Sequence, residues 1–290
     1  MKKILKKKVI VTGASQGLGY EIAYEFARNG ADIMICARNK KLLQDAHAKL
    51  VKLSSNNQKI LFQELDVSNE TDVKFFIKET IQKLGGCNVL VNNAGIYGAK
   101  GKIETTNWDD WVKAIEINLY GSVLICKEII PYFKSQKYGK IIQLSGGGAT
   151  NPLPYLSAYA TSKAAVVRFI ETIAEELKDF KIDANSIAPG ALNTKMLDEI
   201  INEGPEKVGL SFFNRAKKQK ETGGTSLRFA TELVLFLASS SSDGITGKLI
   251  SAIWDNWRVW PLHIKELNNT DAYTLRRITG KDRNFQWGDI

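Results

Sequence analysis

Two histidines, His47 and His263, and three cysteines, Cys36, Cys87 and Cys126, are few for 290 residues. No cysteine has a C-x-x-C partner or a companion histidine, so neither a zinc centre nor a disulfide framework is expected. The cysteines are read as packing residues. Long hydrophobic runs are also missing. No apolar stretch approaches the roughly 18 residues of a membrane helix, and "LVLFLA" at 233–238 reads as helix core. The opening "MKKILKKKVIVTGAS" imitates the start of a signal peptide, but its apolar run at 9–11 is too short. A cytoplasmic chain without a membrane partner is expected. Nor are there repeats, low-complexity segments or a linker that would divide the chain.

Acidic residues are scarce in two places only. Of a net charge of +9, five lysines fall in the first eight residues. The window 205–228 holds six basic and two acidic residues, and the two windows account for the whole surplus. A nucleic-acid binder would show a sustained basic face with interleaved aromatics. No nucleic-acid partner is therefore expected, and Lys2 to Lys8 read as a solvated tail.

What is present is a 44% hydrophobic, 24% charged composition, ample for a core. Short β-rich runs lie at 8–12, 32–37, 59–66, 88–93, 140–145, 182–188 and 248–253. Helical patterns lie between them near 18–29, 40–53, 70–84, 107–134, 157–178 and 229–239. Nearly continuous apolar strands alternating with helices predict an α/β fold, a doubly wound Rossmann-type parallel sheet of about seven strands. The expected organisation is one such domain over 1–250 and an aromatic-rich extension over 251–290, packed on the same domain or on a neighbouring subunit.

After the first strand comes "TGASQGLG", residues 12–19, where a strand hands over to a helix. Gly13, Ser15, Gln16, Gly17, Leu18 and Gly19 form a glycine-rich turn whose helix start offers free N–H groups to a pyrophosphate. The second strand ends "ICARNKK". An acidic residue there would hold a ribose 2′-hydroxyl, but that place falls on Ala37, followed by Arg38. A guanidinium pairs with a 2′-phosphate, so NADP(H) is expected in preference to NAD(H).

In "YATSK", Tyr159 and Lys163 lie four apart on one helical face. A free tyrosine, with a pKa near 10, is a poor base. A neighbouring ammonium and an oxidised nicotinamide would both favour the phenolate. Together with "LDV" at 65–67, "NNAG" at 92–95, Asn118 in "INLYG" and "PGALNT" at 189–194, these motifs resemble the classical short-chain dehydrogenases/reductases across roughly residues 8–250. The resemblance implies a reductase or dehydrogenase acting on CH–OH and C=O groups. Tyr159 would be the acid/base, Lys163 the ribose anchor and Asn118 a water anchor in the proton relay. Asp66 and Val67 would meet the adenine, and Asn92, Asn93, Ala94 and Gly95 would line the cofactor. Pro189, Gly190 and Thr194 would close over the nicotinamide and diphosphate. A homodimer or homotetramer is implied as well.

The sequence departs from that pattern at one place. The family's serine falls thirteen residues before the tyrosine, on Gly146. Ser145 is one place early and would face the other way along a strand unless the backbone bulges, as "GGG" at 146–148 allows. Ser145 is expected to take part. A polarising donor of this kind is worth about 10²–10³ in turnover. The rival reading is a dinucleotide-binding sensor or scaffold of the same fold that has lost catalysis.

Residues 195–228 would form the variable substrate segment, and their positive surplus suggests an anionic small molecule such as a sugar, nucleotide-sugar or acyl thioester. The extension holds four of the six tryptophans, Trp254, Trp257, Trp260 and Trp287. Such aromatic density is expected to pack rather than face water.

Overall fold

The computed structural model describes residues 4–55 and 57–287. Seven strands alternate with helices: β1 (Lys8–Thr12), β2 (Asp32–Ala37), β3 (Ile60–Glu64), β4 (Val89–Asn92), β5 (Gly139–Leu144), β6 (Ile182–Ala188) and β7 (Leu249–Ser251). They form one sheet in the order β3-β2-β1-β4-β5-β6-β7, with every neighbouring pair parallel. Both faces are covered, which is why the strands read as apolar runs rather than as alternation.

Side-chain alternation along the strands sorts the core into two layers. Val9, Val11, Ile33, Val91, Ile142 and Ile187 face α1 (Gly17–Arg28), α2 (Lys40–Val51) and, further on, α10 (Leu227–Ala238). Ile10, Met34, Leu90, Ile141 and Ala184 face α3 (Glu70–Leu84), α5 (Gly121–Gln136) and α6 (Ser157–Leu177). Asn39 and Asn69 start α2 and α3 by accepting from Leu42 N and Asp72 N at 3.0 and 3.1 Å. The three cysteines are free and buried, and burial pushes each thiol up to about 12. They pack.

The pattern read at 107–134 is two helices, α4 (Trp108–Ile115) and α5, joined by a π-helical turn over Glu116–Tyr120. The segment 195–222 carries three helices that the sequence reading left undivided: α7 (Lys195–Glu203), a single turn α8 (Pro205–Val208) and α9 (Leu210–Thr222). Leu197, Ile200, Val208 and Ala216 close a third small core there with Leu156.

Trp257 and Trp260 are buried, 3% and 4% exposed, and join the layer beneath α10. Trp254 and Trp287 remain 85% and 75% exposed, so half of the four tryptophans do face solvent. Lys2 and Lys3 lie outside the described residues, but Lys7 and Lys8 are not free. Lys7 Nζ donates to the Tyr138 hydroxyl at 2.9 Å and Lys8 Nζ to the Gly85 carbonyl. No helix of the described residues is long and apolar enough to cross a membrane.

Candidate active site

Strand order reverses between β1 and β4, and a cleft of about 1140 Å³ opens at the carboxyl ends of the strands there. On one side lies the loop from Gly13 into α1. The helix begins at Gly17, whose φ of +58° suits glycine, and its N-cap residue Gln16 makes no side-chain capping bond. The first N–H groups of α1 therefore lack a side-chain cap. A Cβ on Gly19 would meet the carbonyl oxygen of Gly13 at 2.5 Å, so the helix packs on the loop at a distance that only glycine permits. The Asn93 amide fastens this loop, donating to the carbonyls of Thr12 and Gly13 at 2.9 and 3.1 Å. Asn92 braces β4 through the Ser122 carbonyl.

Ser15, Gln16, Leu18 and Arg38 line the same side of the cleft. Leu65 and Val67 line it too, whereas Asp66 turns to Ser68, accepting from its N–H and hydroxyl at 3.0 and 2.6 Å. Burial works to raise the Asp66 carboxyl, but the Ser68 bonds and the charges of Lys113 and Arg38 outweigh it and hold the group below the usual range. An uncapped helix start, a glycine-rich loop and a guanidinium on the same side of the cleft fit the phosphates of a dinucleotide.

The other side of the cleft is built on α6. Tyr159 lies in its first turns and Lys163 one turn on, so both reach the cleft. Lys163 Nζ donates to the Leu144 carbonyl at 2.9 Å and lies 5.6 Å from the centre of the Tyr159 ring. Burial lowers the Lys163 ammonium to about 8. The phenol does not follow the expected direction within the protein alone. Burial, with Tyr97 beside it, pushes Tyr159 well above its ordinary value. At neutral pH Tyr159 is thus a protonated donor.

Asn118 sits in the π-helical turn, buried completely. Its Oδ1 accepts from Ile96 N at 2.8 Å, and its Nδ2 donates to the Ile96 carbonyl and the Ser162 hydroxyl at 2.9 and 2.8 Å. It locks the loop after β4 against α6, and a Cβ on Gly95 would lie 3.2 Å from Asn118 Oδ1. π-turns of this kind recur at functional sites. Pro189, Gly190 and Thr194 line the far wall.

The bulge on which Ser145 depends is absent. Ser145 N continues the β5–β6 ladder, donating to the Ile187 carbonyl at 2.8 Å, and Gly146 is fully extended at φ 179°. A Cβ on Gly146 would stand 2.6 Å from the Tyr159 hydroxyl, so the face turned to the tyrosine belongs to position 146. Ser145 Oγ is buried with no hydrogen-bond partner among the described residues.

Among the cleft residues that the sequence does not single out, three bear on its chemistry. The Tyr97 ring packs on Tyr159 with centres 4.8 Å apart, and burial, with Glu199, pushes the Tyr97 phenol up to about 12. Glu199 and Arg215 line the cleft from α7 and α9. Tyr97 stands two residues after "NNAG", which is the one signal that could have pointed to it.

A family profile described as short chain dehydrogenase matches residues 7–204. The chain belongs to that family. This short-chain dehydrogenase/reductase is 38% identical over 221 residues to an 11-beta-hydroxysteroid dehydrogenase-like 3 of Arabidopsis thaliana, covering 72% of this chain and 70% of that one. It is 34% identical to the glucose 1-dehydrogenase of Gluconobacter oxydans (strain 621H), covering 84% and 89%. Among solved structures, NAD+-bound xylitol dehydrogenase superposes with a TM-score of 0.78 at 25% identity, covering 86% and 98%. As a short-chain dehydrogenase/reductase, the protein is an NAD(P)-dependent oxidoreductase, and the doubly wound sheet is that family's fold.

Proposed function

We propose that this enzyme is an NADP(H)-dependent reductase or dehydrogenase exchanging a hydride between the nicotinamide and a carbonyl or alcohol carbon. The observation that carries the reading is the convergence of Tyr159 and Lys163 on one cleft with an uncapped helix start, while the buried Asn118 ties the loop after β4 to the helix that bears them. The cofactor, when bound, supplies or accepts the hydride. Everything else falls to the chain.

Tyr159, protonated at neutral pH, donates its phenolic proton to the carbonyl oxygen as the carbon is reduced. Lys163, held by Leu144, provides the nearby cation that stabilises the resulting phenolate. Asn118 is a positioning residue that keeps the β4 loop and α6 in register, and we place it also at the head of the proton path to solvent. Gly13, Ser15, Gln16, Gly17, Leu18 and Gly19 would hold the diphosphate, with Val67, Asn93, Ala94 and Gly95 along the adenosine and nicotinamide. Pro189, Gly190 and Thr194 would cover it, and Asp66 would act through Val67.

Arg38 supports NADP(H), since the end of β2 offers a guanidinium and no carboxylate. With position 146 bare, the second donor to the substrate oxygen is assigned to Tyr97, packed on Tyr159. Ser145 also lines the cleft with an unpartnered Oγ, but the position turned to the Tyr159 hydroxyl is 146, which makes Ser145 the second candidate. Of the basic residues at 205–228, Arg215 alone lines the cleft, with no carboxylate partner among the described residues. An anionic group on the substrate would meet Arg215 rather than Lys217 or Lys218. A homodimer or homotetramer in the cytoplasm completes the reading. The test is NADPH consumption across a carbonyl panel. Tight NADPH binding without oxidation of any member would instead favour a dinucleotide-binding sensor, whose best support is Gly146.

A further inference from the structure

β4 ends at Asn92, while β5, paired with it in parallel, runs on to Leu144. Lys140 N donates to the Asn88 carbonyl at 3.0 Å, and that pattern carried along the ladder would bring Ala94 N to the Leu144 carbonyl. Ala94 N is turned elsewhere, donating to Thr12 Oγ1 at 3.0 Å. The Leu144 carbonyl is thus a ladder acceptor without its strand partner, on a residue only 4% exposed. A buried carbonyl needs other donors. Two side chains supply them, Lys163 Nζ at 2.9 Å and Gln143 Nε2 at 3.2 Å.

Gln143 is 1% exposed, and its Nε2 also lies 3.4 Å from the Asn92 carbonyl. The amide therefore bridges the last carbonyl of β4 and the last of β5. Turned over, it would set Oε1 against both oxygens, so its orientation is fixed. Its other end is left unpaired: Oε1 is buried with no hydrogen-bond partner among the described residues, as is the hydroxyl of Ser186, its register neighbour on β6. A methionine would fill the same space without an unpaired acceptor. What glutamine adds is a donor on the carbonyl that holds the ammonium.

We propose that Gln143 is a positioning residue for Lys163, loosening its hold on the Leu144 carbonyl by competing for the same oxygen. A carbonyl offers two lone pairs, and the positive end of an amide N–H beside an ammonium disfavours its charge. Lys163 is then readier to leave Leu144 for a hydroxyl of a bound dinucleotide. Nothing nearby masks this lever. Tyr159, from the same helix, is the titratable neighbour, with its ring centre 5.6 Å away. Gly95 from the loop after β4 and Asn118 from the π-helical turn are uncharged. Burial is what lowers the Lys163 ammonium to about 8, with no charged group contributing. That Lys163 serves catalysis rests on the proposed function; its competition with Gln143 does not.

Urea unfolding between pH 7 and 10.5 reads the Lys163 titration without substrate or cofactor. The gain in stability over that range is taken for the wild type relative to Lys163→Met. It is taken for Gln143→Met relative to the double variant with Lys163→Met. Removing the competing donor should raise the folded Lys163 titration by about one pH unit, the scale of one hydrogen bond to a charged group. The folded value then stands nearer 10.5, so the gain should shrink by roughly two fifths. Ser186→Ala, handled in the same way, removes a hydroxyl of the same buried layer that has no bond to Leu144, and should leave the gain unchanged. Gln143→Leu serves should the methionine not pack. An unchanged or larger gain in the Gln143 variants overturns the proposal, and so does an equal shrinkage in Ser186→Ala. Absence of turnover with every carbonyl would count against the proposed function and leave this comparison standing.

Discussion

Gly146 and Tyr159 share one small space: a Cβ on the glycine would lie 2.6 Å from the tyrosine hydroxyl. The tyrosine thus occupies room that a side chain at 146 would claim. Restoring a serine there is expected to harm rather than help. Gly146→Ser and Gly146→Ala must displace a ring already packed on Tyr97. Both should lower kcat by about tenfold or more, the free-energy cost of a displaced catalytic group being about 1.4 kcal/mol or greater. NADPH affinity should hold, as steady-state kinetics and fluorescence titration would show.

Tyr97→Phe and Ser145→Ala separate the two candidates for the second donor. Loss of a polarising hydroxyl costs about 10²–10³ in turnover. Tyr97→Phe should show a fall of that kind in kcat, whereas Ser145→Ala should leave turnover near wild type. The opposite ranking would return the role to Ser145.

How much of this was legible in the sequence varies by residue. All seven strands were, because two-sided burial leaves most of them as nearly continuous apolar runs, although β6 carries Asp183, Asn185 and Ser186. The helices at 195–222 were not, although α7 carries an apolar stripe at Leu197, Ile200 and Ile201, and Gly204 and Gly209 mark the breaks between the helices. Tyr159 and Lys163 stood out by spacing, and Asn118 only through the resemblance. The orientation of Ser145 depended on whether the strand bulges, which no residue type decides. Tyr97 was hidden because its partnership with Tyr159 spans 62 residues of chain.

Arg38→Asp should weaken NADPH binding by about 10–100-fold, the scale of losing one charge-assisted pair, and improve NADH binding in relative terms. Dissociation constants for both cofactors check it. An equal loss for both would place Arg38 away from the 2′ position.

Arg215→Glu should raise KM for an anionic substrate with little change in kcat, since the residue would bind substrate uniformly. Reversal of Lys217 and Lys218, which do not line the cleft, should leave KM unchanged.

Lys163 titrates at about 8 when folded against an ordinary value of 10.5. The folded state therefore binds fewer protons than the unfolded chain between those values, and stability rises with pH across that window. Below about 8 the cost of burying the ammonium is present in full. Relative to Lys163→Met, the wild type without cofactor should gain up to about 3 kcal/mol between pH 7 and 10.5, at 1.36 kcal/mol per unit. Urea unfolding of both proteins across that range would show it, and a constant difference would contradict it.

The most direct measurement is single-turnover hydride transfer in Tyr159→Phe with a carbonyl that the wild type reduces. The account predicts a fall of about 10²–10⁴, the usual contribution of a positioned general acid, with NADPH still bound. Transfer at the wild-type rate in a chain lacking that one oxygen would contradict it.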